Sequence, residues 1–366
     1  MLVSFTECAI DSRAWRFFAR ERLDVFYSED VLTALYGSTW TSAFVTDGRF
    51  AMLHVFVQRP IGSTGLFDAE AWLGYAGPII HGEDGAFAHA AMAAYSGGCR
   101  ERGIVAEVIR FDPLRNNCRL FTEIDDFELF FDRPIVYVRV LSSREDQLRV
   151  IDPASRRQIE RARHRYATDG ACDTYAFQGL YTASLDRLSA PRRWYFSDAT
   201  FRAFDTIDGA TYSAVRRGDE VVSAVLTVAR CGVAHTLLVA NADPATNAGA
   251  CDLLMFEAIC GAGEAGHRTV CLGGGRTSHP ADPLLRFKRK FGGMLRPLPV
   301  GFVRHNVAEL RTLVERATAE MSVAAAQPAC DLVRQLLPYR FVPALADGDN
   351  HVRTNAGASV FQHVGP

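Results

Sequence analysis

The stretch that decides the fold is LGGGRTSHPADPLLRFKRKFGG, which runs from Leu272 to Gly293. Residues 268–272 are predicted to form a short buried strand. Three consecutive glycines follow, then a loop with two prolines, and then a basic segment bracketed by Phe287 and Phe291. A strand that leaves through glycines toward a helix predicts one step of an α/β layer protein.

The second half of the chain, upstream of this stretch, predicts a hairpin, a strand, a helix and a strand in that order. The hairpin flanks Arg217-Gly218-Asp219, and its strands are predicted at 212–215 and 220–228. A further strand is predicted at 232–240 and a long helix at 251–265. Two helices are predicted before the hairpin, at 153–167 and 197–204.

The first half has the same outline. Its hairpin is predicted at 41–46 and 49–58, around Asp47-Gly48, a dipeptide that suits a type I′ turn. Two helices, at 12–20 and 29–35, are predicted before this hairpin. After it, strands are predicted at 71–80, 104–111 and 134–141, and a helix at 86–102. This recurrence predicts an internal structural duplication, although no repeat is visible residue by residue.

Length and pattern together predict two α/β domains. A chain of 366 residues exceeds one ordinary core. The predicted N-terminal domain covers 1–145, and the C-terminal domain covers 146–343 and closes with helices at 306–321 and 329–337. Residues 344–366 are rich in Gly, Asp, Asn and Ala and are predicted to be a disordered tail.

Composition excludes several classes of protein. The net charge is −2, so any anion site must be a local patch. The nine cysteines are scattered without a CxxC spacing, which argues against disulfides and against zinc. The histidines show no ligand spacing, and no nucleotide fingerprint appears, so neither a metal nor a cofactor is predicted. The first residues do not read as a signal peptide, and no apolar run reaches membrane length, so the prediction is a cytoplasmic protein.

Three segments in order resemble the Fem-type peptidyltransferases and their FemAB-like relatives in the GNAT superfamily. They are residues 272–293 with the Phe-Lys-x-x-Phe ending, YAGPII at 75–80, and Arg110-Phe111-Asp112-Pro113 followed by Asn116-Asn117. Position 112 is Asp where many relatives carry another polar residue. The resemblance spans roughly residues 20 to 305. It implies tandem GNAT-like domains, each a mixed sheet flanked by helices, with a substrate cleft between the domains.

The same resemblance implies an activity. Members of this family move an amino acid from aminoacyl-tRNA to an amine and form an amide; the best-known members extend peptidoglycan side chains. Others are similar in fold and acylate small metabolites. The resemblance therefore predicts a transferase with an aminoacyl-tRNA donor and a peptidoglycan precursor or small-metabolite amine as acceptor, in cell-wall or natural-product biosynthesis.

Lys288 is the predicted catalytic residue. The chain holds 40 lysines and arginines, and lysine stands only at 288 and 290. A compact ammonium at 288, the position that matches the family motif, would hold a phosphate or stabilise the leaving ribose oxygen. The alternative is a solvated helix face that carries both lysines.

Five further positions are predicted to bind substrate near the two strand ends and in the cleft. Gly273, Gly274 and Gly275 would let backbone amides form an anion nest, or would only allow a tight exit from the strand. Arg110 would clamp a carboxylate or phosphate, or form a salt bridge between domains. Tyr75 would line the same cleft, or belong to the core.

Arg157 and Arg161 are predicted to bind the anionic donor. With Arg165 they recur at every fourth position of a predicted helix and share one face. Like charges at this spacing cost a few tenths of a kcal/mol per pair, which tRNA phosphates would offset. The alternative is a solvated face on which Glu160 bridges Arg156 and Arg163.

Two other functions stay open. An acyl-CoA-dependent N-acyltransferase of GNAT type would hold the CoA pyrophosphate before the long helix, where NADPATNAGAC at Asn241–Cys251 offers one glycine and no basic residue. A non-catalytic GNAT-like binding module would bind ligand without turnover. Asp112 and Asp282 lie near motifs as candidate general bases, but each also suits a cap or turn, and the sequence identifies no base.

Overall fold

A computed structural model describes residues 1–20, 23–82, 84–168, 172–321 and 332–341. The predicted tail at 344–366 lies outside these ranges. The strands are β1 Leu2–Glu7, β2 Trp40–Thr46, β3 Ala51–Pro60, β4 Phe67–Glu70, β5 Ile79–His81, β6 Ile104–Arg110, β7 Phe127–Arg139, β8 Ala210–Arg217, β9 Glu220–Arg230, β10 Val233–Asn241, β11 Thr269–Gly274 and β12 Met294–Arg304. The α-helices are α1 Trp15–Phe18, α2 Glu29–Tyr36, α3 Gly85–Glu101, α4 Arg144–Arg149, α5 Pro153–Arg163, α6 Thr174–Arg187, α7 Asp198–Phe204, α8 Ala250–Glu264, α9 Pro283–Arg289, α10 Val307–Met321 and α11 Leu332–Leu336.

The described residues divide into two compact units. Unit 1 holds 1–20, 26–132, 297–321 and 332–341, and unit 2 holds 23–25 and 133–296, each with the gaps given above. The chain therefore passes from unit 1 to unit 2 within β7 and returns within β12. The domain boundary after residue 145 stays a prediction from the sequence.

Unit 1 contains a mixed sheet in the order β1-β2-β3-β4-β6-β12, and β5 pairs with the first residues of β3. Strands β4 and β6 run parallel, and α3, which connects them in the chain, packs on β2 and β6. Asp84 begins this helix by accepting a hydrogen bond from the amide of Phe87 at 2.7 Å. The helix and the strands enclose a core that includes Phe56, Met92 and Ile104.

The first hairpin exists, but its turn differs from the predicted type I′. Thr46 pairs with Ala51, so the loop has four residues, and within it only Gly48 has a positive φ, of 93°. A type I′ turn needs a positive φ at both central residues. The Asp47 carboxylate closes this longer loop instead, because it accepts hydrogen bonds from the amides of Arg49 and Phe50 at 2.8 and 2.7 Å.

The strand predicted at 71–80 is mostly a loop. The structure ends β4 at Glu70 and begins β5 at Ile79, so Tyr75 lies between strands. Gly74 and Gly77 have φ values of 103° and 72°, which an extended strand does not allow. Pro78 also removes a backbone donor from the segment.

Unit 2 contains a mixed sheet in the order β7-β11-β10-β9-β8, with β10 and β11 parallel. The predicted hairpin is confirmed, with Gly218 and Asp219 as its two-residue turn between β8 and β9. Helix α8 packs on β8 and β9, α5 packs on α8, and α6 packs on β9 and β10. The sequence analysis did not predict α6.

The same order of elements recurs in both parts of the chain: a hairpin, a third strand, a long helix and a strand parallel to the third. In the first part these are β2, β3, β4, α3 and β6; in the second they are β8, β9, β10, α8 and β11. This confirms the mixed α/β prediction. Among the helices of the described ranges, none combines the length and apolar composition that crossing a bilayer requires.

Candidate active site

Lys288 lies on α9, directly after the glycine-rich exit of β11. Its ammonium nitrogen Nζ donates a hydrogen bond to the carbonyl oxygen of Gly274 at 2.8 Å, and the side chain is half-buried. Burial lowers the pKa of Lys288 to about 8, against the opposing effects of Cys271 and Asp282. The residue is therefore an ammonium near neutrality that releases its proton in mildly alkaline solution.

Asp282 sets the start of α9 and the shape of the loop before it. Its carboxylate accepts hydrogen bonds from the amide of Leu285 at 2.9 Å and from those of Arg276 and Thr277 at 3.1 and 3.0 Å. Burial alone would raise the pKa of Asp282, but these amides hold it below its usual value. The carboxylate is thus a cap, and its hydrogen bonds fix the helix that carries Lys288.

The glycine triplet makes close packing contacts. Gly273 has a φ of 75° beside an irregularity in the pairing of β11 with β7. A Cβ at Gly275 would lie 2.7 Å from Oδ1 of Asp282 and 3.0 Å from Cβ of Leu285. The amides of Arg276 and Thr277, directly after the triplet, already donate to Asp282. The tight exit, the second of the two interpretations of this segment, therefore has direct geometric support at Gly275.

Lys290 has a different environment from Lys288. Its ammonium forms an ion pair with Asp252, which is buried in the first turn of α8. The same nitrogen lies 4.2 Å from the centroid of the Phe287 ring. Lys290 thus ties the end of α9 to the start of α8.

Arg157 and Arg161 lie on the exposed face of α5, together with Arg165 just beyond its end. The opposite face buries Ser155, Ile159 and Ala162 against the unit 2 core. Within the described ranges, none of the three arginines pairs with a carboxylate. The bridge through Glu160, which belonged to the alternative interpretation, is also absent among these described residues. Arg163 instead lies 3.9 Å from Glu257 and over the Phe256 ring.

A histidine that the sequence analysis did not select lies beside β11. His235 on β10 is hydrogen-bonded through Nε2 to Asp24 at 2.8 Å and also interacts with Cys271 on β11. Burial alone would lower the pKa of His235, but the Asp24 carboxylate raises it well above its usual value. This imidazolium is therefore a buried positive charge of unit 2 beside Cys271.

In unit 1, Arg110 and Tyr75 line the same small cavity. Arg110 lies at the end of β6, and its guanidinium pairs with Glu70, which is buried at the end of β4, and donates to the carbonyl of Ala71 at 3.1 Å. Glu70 also binds Arg59 at 2.6 Å. The salt bridge of Arg110 is therefore internal to unit 1.

The Arg-Phe-x-Pro segment and the asparagines after it hold the loop that carries Tyr75. The Asn117 amide nitrogen donates to the carbonyls of Ala76 and Pro78 at 2.7 and 3.0 Å. The Tyr27 hydroxyl donates to the same Ala76 carbonyl at 2.7 Å. Asp112 accepts from the amide of Leu114 at 2.8 Å, which identifies it as a turn residue.

Part of the chain matches a known protein family, and the fold is similar to that of a solved structure. Residues 142–289 match the family described as the acetyltransferase (GNAT) domain. The crystal structure of FemX superposes with a TM-score of 0.64 and 11% identity, over 86% of this chain and 100% of that chain. The chain has a GNAT fold similar to that of FemX. The domain match identifies residues 142–289 as an acyltransferase domain.

Two further solved structures are similar to this chain. L-PGS from Bacillus licheniformis has a TM-score of 0.54 at 14% identity, over 84% of this chain and 96% of that chain. The C-terminal domain (DUF2156) of a putative lysylphosphatidylglycerol synthetase from Agrobacterium fabrum has a TM-score of 0.53 at 15% identity, over 84% and 95%. At these identities the likeness establishes the fold. A search of curated proteins returns no match to the sequence.

The structure places the predicted site residues in separate units. Lys288 lies beside Gly274 in unit 2, where Arg157 and Arg161 also lie; Arg110 and Tyr75 share the cavity of unit 1. The described part of the chain contains no group of three or more His, Cys, Asp or Glu residues placed to hold a metal ion.

Proposed function

We propose that this acyltransferase moves an aminoacyl group from aminoacyl-tRNA to an amine and forms an amide. The acceptor is a peptidoglycan precursor or a small metabolite. The amine nitrogen attacks the ester carbonyl, the bond from that carbonyl to the ribose oxygen breaks, and the ribose oxygen gains a proton. The amine loses one proton, so the reaction is balanced without a cofactor.

Lys288 suits the departing ribose oxygen. Its ammonium is held at a fixed position by the Gly274 carbonyl and keeps its other N–H donors. A half-buried ammonium stabilises a developing oxyanion more strongly than one in water does. With a pKa of about 8, Lys288 also gives up a proton more readily than an ordinary lysine.

The observation that supports tRNA as the donor is the row of arginines on α5. Arg157, Arg161 and Arg165 are exposed, recur at every fourth position, and lack carboxylate partners among the described residues. Such a row repels itself, and a polyanion that neutralises it recovers that energy. The net charge of the whole chain is −2, so the row is a local feature.

The start of α8 disfavours a CoA pyrophosphate. GNAT acetyltransferases hold that group at the N-terminus of their long helix, on free backbone amides. Here a Cβ at Gly249, the residue before α8, would lie 3.2 Å from both Gln158 and Ala162 of α5, so α5 packs against this position. The first turn also carries the buried Asp252, whose charge is matched by Lys290.

A salt titration of tRNA binding tests the arginine row. We expect Arg157→Ala with Arg161→Ala to reduce the slope of log affinity against log salt by about 2, one for each lost phosphate contact. The matched control is Arg192→Ala with Arg193→Ala, which removes two exposed arginines elsewhere in unit 2. An unchanged slope for the α5 variant, or an equal drop in the control, would contradict a phosphate-binding role for this row.

A second candidate is an N-acyltransferase that uses acyl-CoA, which the description of the matched family as an acetyltransferase domain favours. It requires a different donor for the same amide-forming step. Product formed from acetyl-CoA and an amine, with protein freed of RNA by RNase, would select this candidate over the first.

A further inference from the structure

His54 lines the cavity of unit 1. It belongs to none of the sequence motifs and lies outside the residues matched by the family model. The cavity encloses about 20 Å³, which is room for one water molecule or for an amino group of the same size. His54 on β3 lines it together with Tyr36, Tyr75 and Arg110. Three rings and a paired guanidinium therefore surround a space of the size of one small polar group.

The two ring nitrogens of His54 differ in their hydrogen bonding. Its side chain is 2% exposed, and Nε2 lies 2.7 Å from Oε1 of Glu107. Nδ1 is buried and has no hydrogen-bond partner among the residues that the structure describes. Because a carboxylate only accepts, Nε2 carries a hydrogen, and in the neutral ring Nδ1 then carries the lone pair. A buried acceptor without a donor costs free energy, and a ligand that donates to it recovers that cost.

Glu107 is held as an ionised carboxylate. The Tyr95 hydroxyl donates to its Oε2 at 2.9 Å, and His305 lies 3.4 Å from the same oxygen. Burial alone would raise the pKa of Glu107, but His54 and His305 lower it to about 2. A carboxylate bonded to one nitrogen of an imidazole fixes the orientation of the ring, an arrangement that enzymes use around a general base.

We propose that the His54–Glu107 pair takes a proton from the ammonium group of the amine acceptor and so delivers the acceptor as a free amine. This inference rests on the proposed amide-forming function. Amines are protonated near neutral pH and lack the lone pair that attacks an ester. One N–H bond of the ammonium breaks, the proton forms a bond to Nδ1, and the resulting imidazolium later releases it to solvent.

Several titratable or charged groups surround His54 and its cavity. They are Tyr36 on α2, Glu70 on β4, Tyr95 and Cys99 on α3, Glu107 and Arg110 on β6, and His305 after β12. Glu70 pairs with Arg110, which leaves Glu107 as the charge bonded to His54. The carboxylate stabilises the imidazolium that forms when the ammonium gives up its proton.

A comparison of two acceptors separates this role from a structural one. A primary alkylamine needs deprotonation near neutral pH, whereas an O-alkylhydroxylamine is already uncharged. We expect His54→Gln to slow the alkylamine reaction by about 100-fold or more and to leave the O-alkylhydroxylamine reaction nearly unchanged. Glu107→Gln should show the same selectivity with a smaller loss. Equal slowing of both acceptors would overturn the proposal, and His89→Gln, on an exposed turn of α3, is the matched control.

The two acceptors are compared with whichever donor, charged tRNA or acyl-CoA, gives turnover. If the donor is not aminoacyl-tRNA, the role of His54 can therefore still be tested. Nitrogen-15 NMR of histidine-labelled protein gives a readout without turnover. We expect His54 as the Nε2–H tautomer, with an Nδ1 signal that moves when methylamine is added and does not move with sodium chloride at equal ionic strength. The opposite tautomer, or a signal indifferent to methylamine, would overturn the proposal.

Discussion

Lys288 and Lys290 are two positions apart and have different roles in the structure. Lys290 is neutralised by Asp252, whereas Lys288 contacts a carbonyl and carries a pKa lowered to about 8 by burial. The sequence motif selects position 288, because the lysine and its flanking aromatics are contiguous, and its role in transfer stays a prediction. The lowered pKa could not be predicted, since it depends on how α9 packs on β11.

The pH dependence of transfer tests the ammonium role. If the charged form acts on the ribose oxygen, the active fraction falls as pH rises through about 8, so the rate should decline there. Lys288→Met should lose about 100- to 1,000-fold in rate at pH 7. Lys290→Arg keeps its charge and should retain a rate near that of the parent protein. A Lys288→Met variant of parent activity would exclude the assigned role.

At the same scale, His54 shows what sequence reasoning misses. His54 and Glu107 are 53 positions apart, and only the pairing of β3, β4 and β6 within one sheet brings them near each other. A single histidine in an apolar strand carries no local signal. The unsatisfied Nδ1 becomes visible only when every neighbour has been placed.

At the level of elements, α9 depends on the glycine before its loop. A methyl group at Gly275 would meet the Asp282 carboxylate and Leu285, both of which belong to the start of α9. We expect Gly275→Ala to destabilise the protein by about 1 to 3 kcal/mol and to reduce the transfer rate, because α9 carries Lys288. Urea unfolding and the rate on the folded variant measure the two effects.

Gly261→Ala is the control for that substitution. Gly261 lies inside α8 with open space where an alanine methyl group would stand, so alanine should be neutral or stabilise by about 0.5 to 1 kcal/mol. If Gly275→Ala behaved like Gly261→Ala in both stability and rate, the close approach of the glycine to Asp282 would not matter for α9.

Elements with strong local signals were predicted well, and others were not. The Gly218-Asp219 hairpin and the long helix α8 follow from turn residues and length. The loop at 71–78 was predicted as a strand because its apolar residues outweighed Gly74, Gly77 and Pro78. Helix α6 was not predicted, although Phe177, Tyr181 and Leu185, all buried, recur at helical spacing.

For the whole molecule, the α/β duplication follows from the recurring order of predicted elements, but the path of the chain does not. Strands β7 and β12 each contribute residues to both compact units. Nothing in the local pattern of a strand shows which neighbour it pairs with, since pairing is decided by contacts between distant segments. The bounds of the units therefore come from the structure alone.

The central claim is that the donor is aminoacyl-tRNA. The most direct measurement is amide formation in a single turnover, from tRNA charged with a labelled amino acid and a panel of amines. We predict that label moves to an amine, that RNase treatment of the charged tRNA before mixing abolishes the product, and that Lys288→Met blocks the transfer. Product that survives RNase, or that forms only from acyl-CoA, would contradict the account.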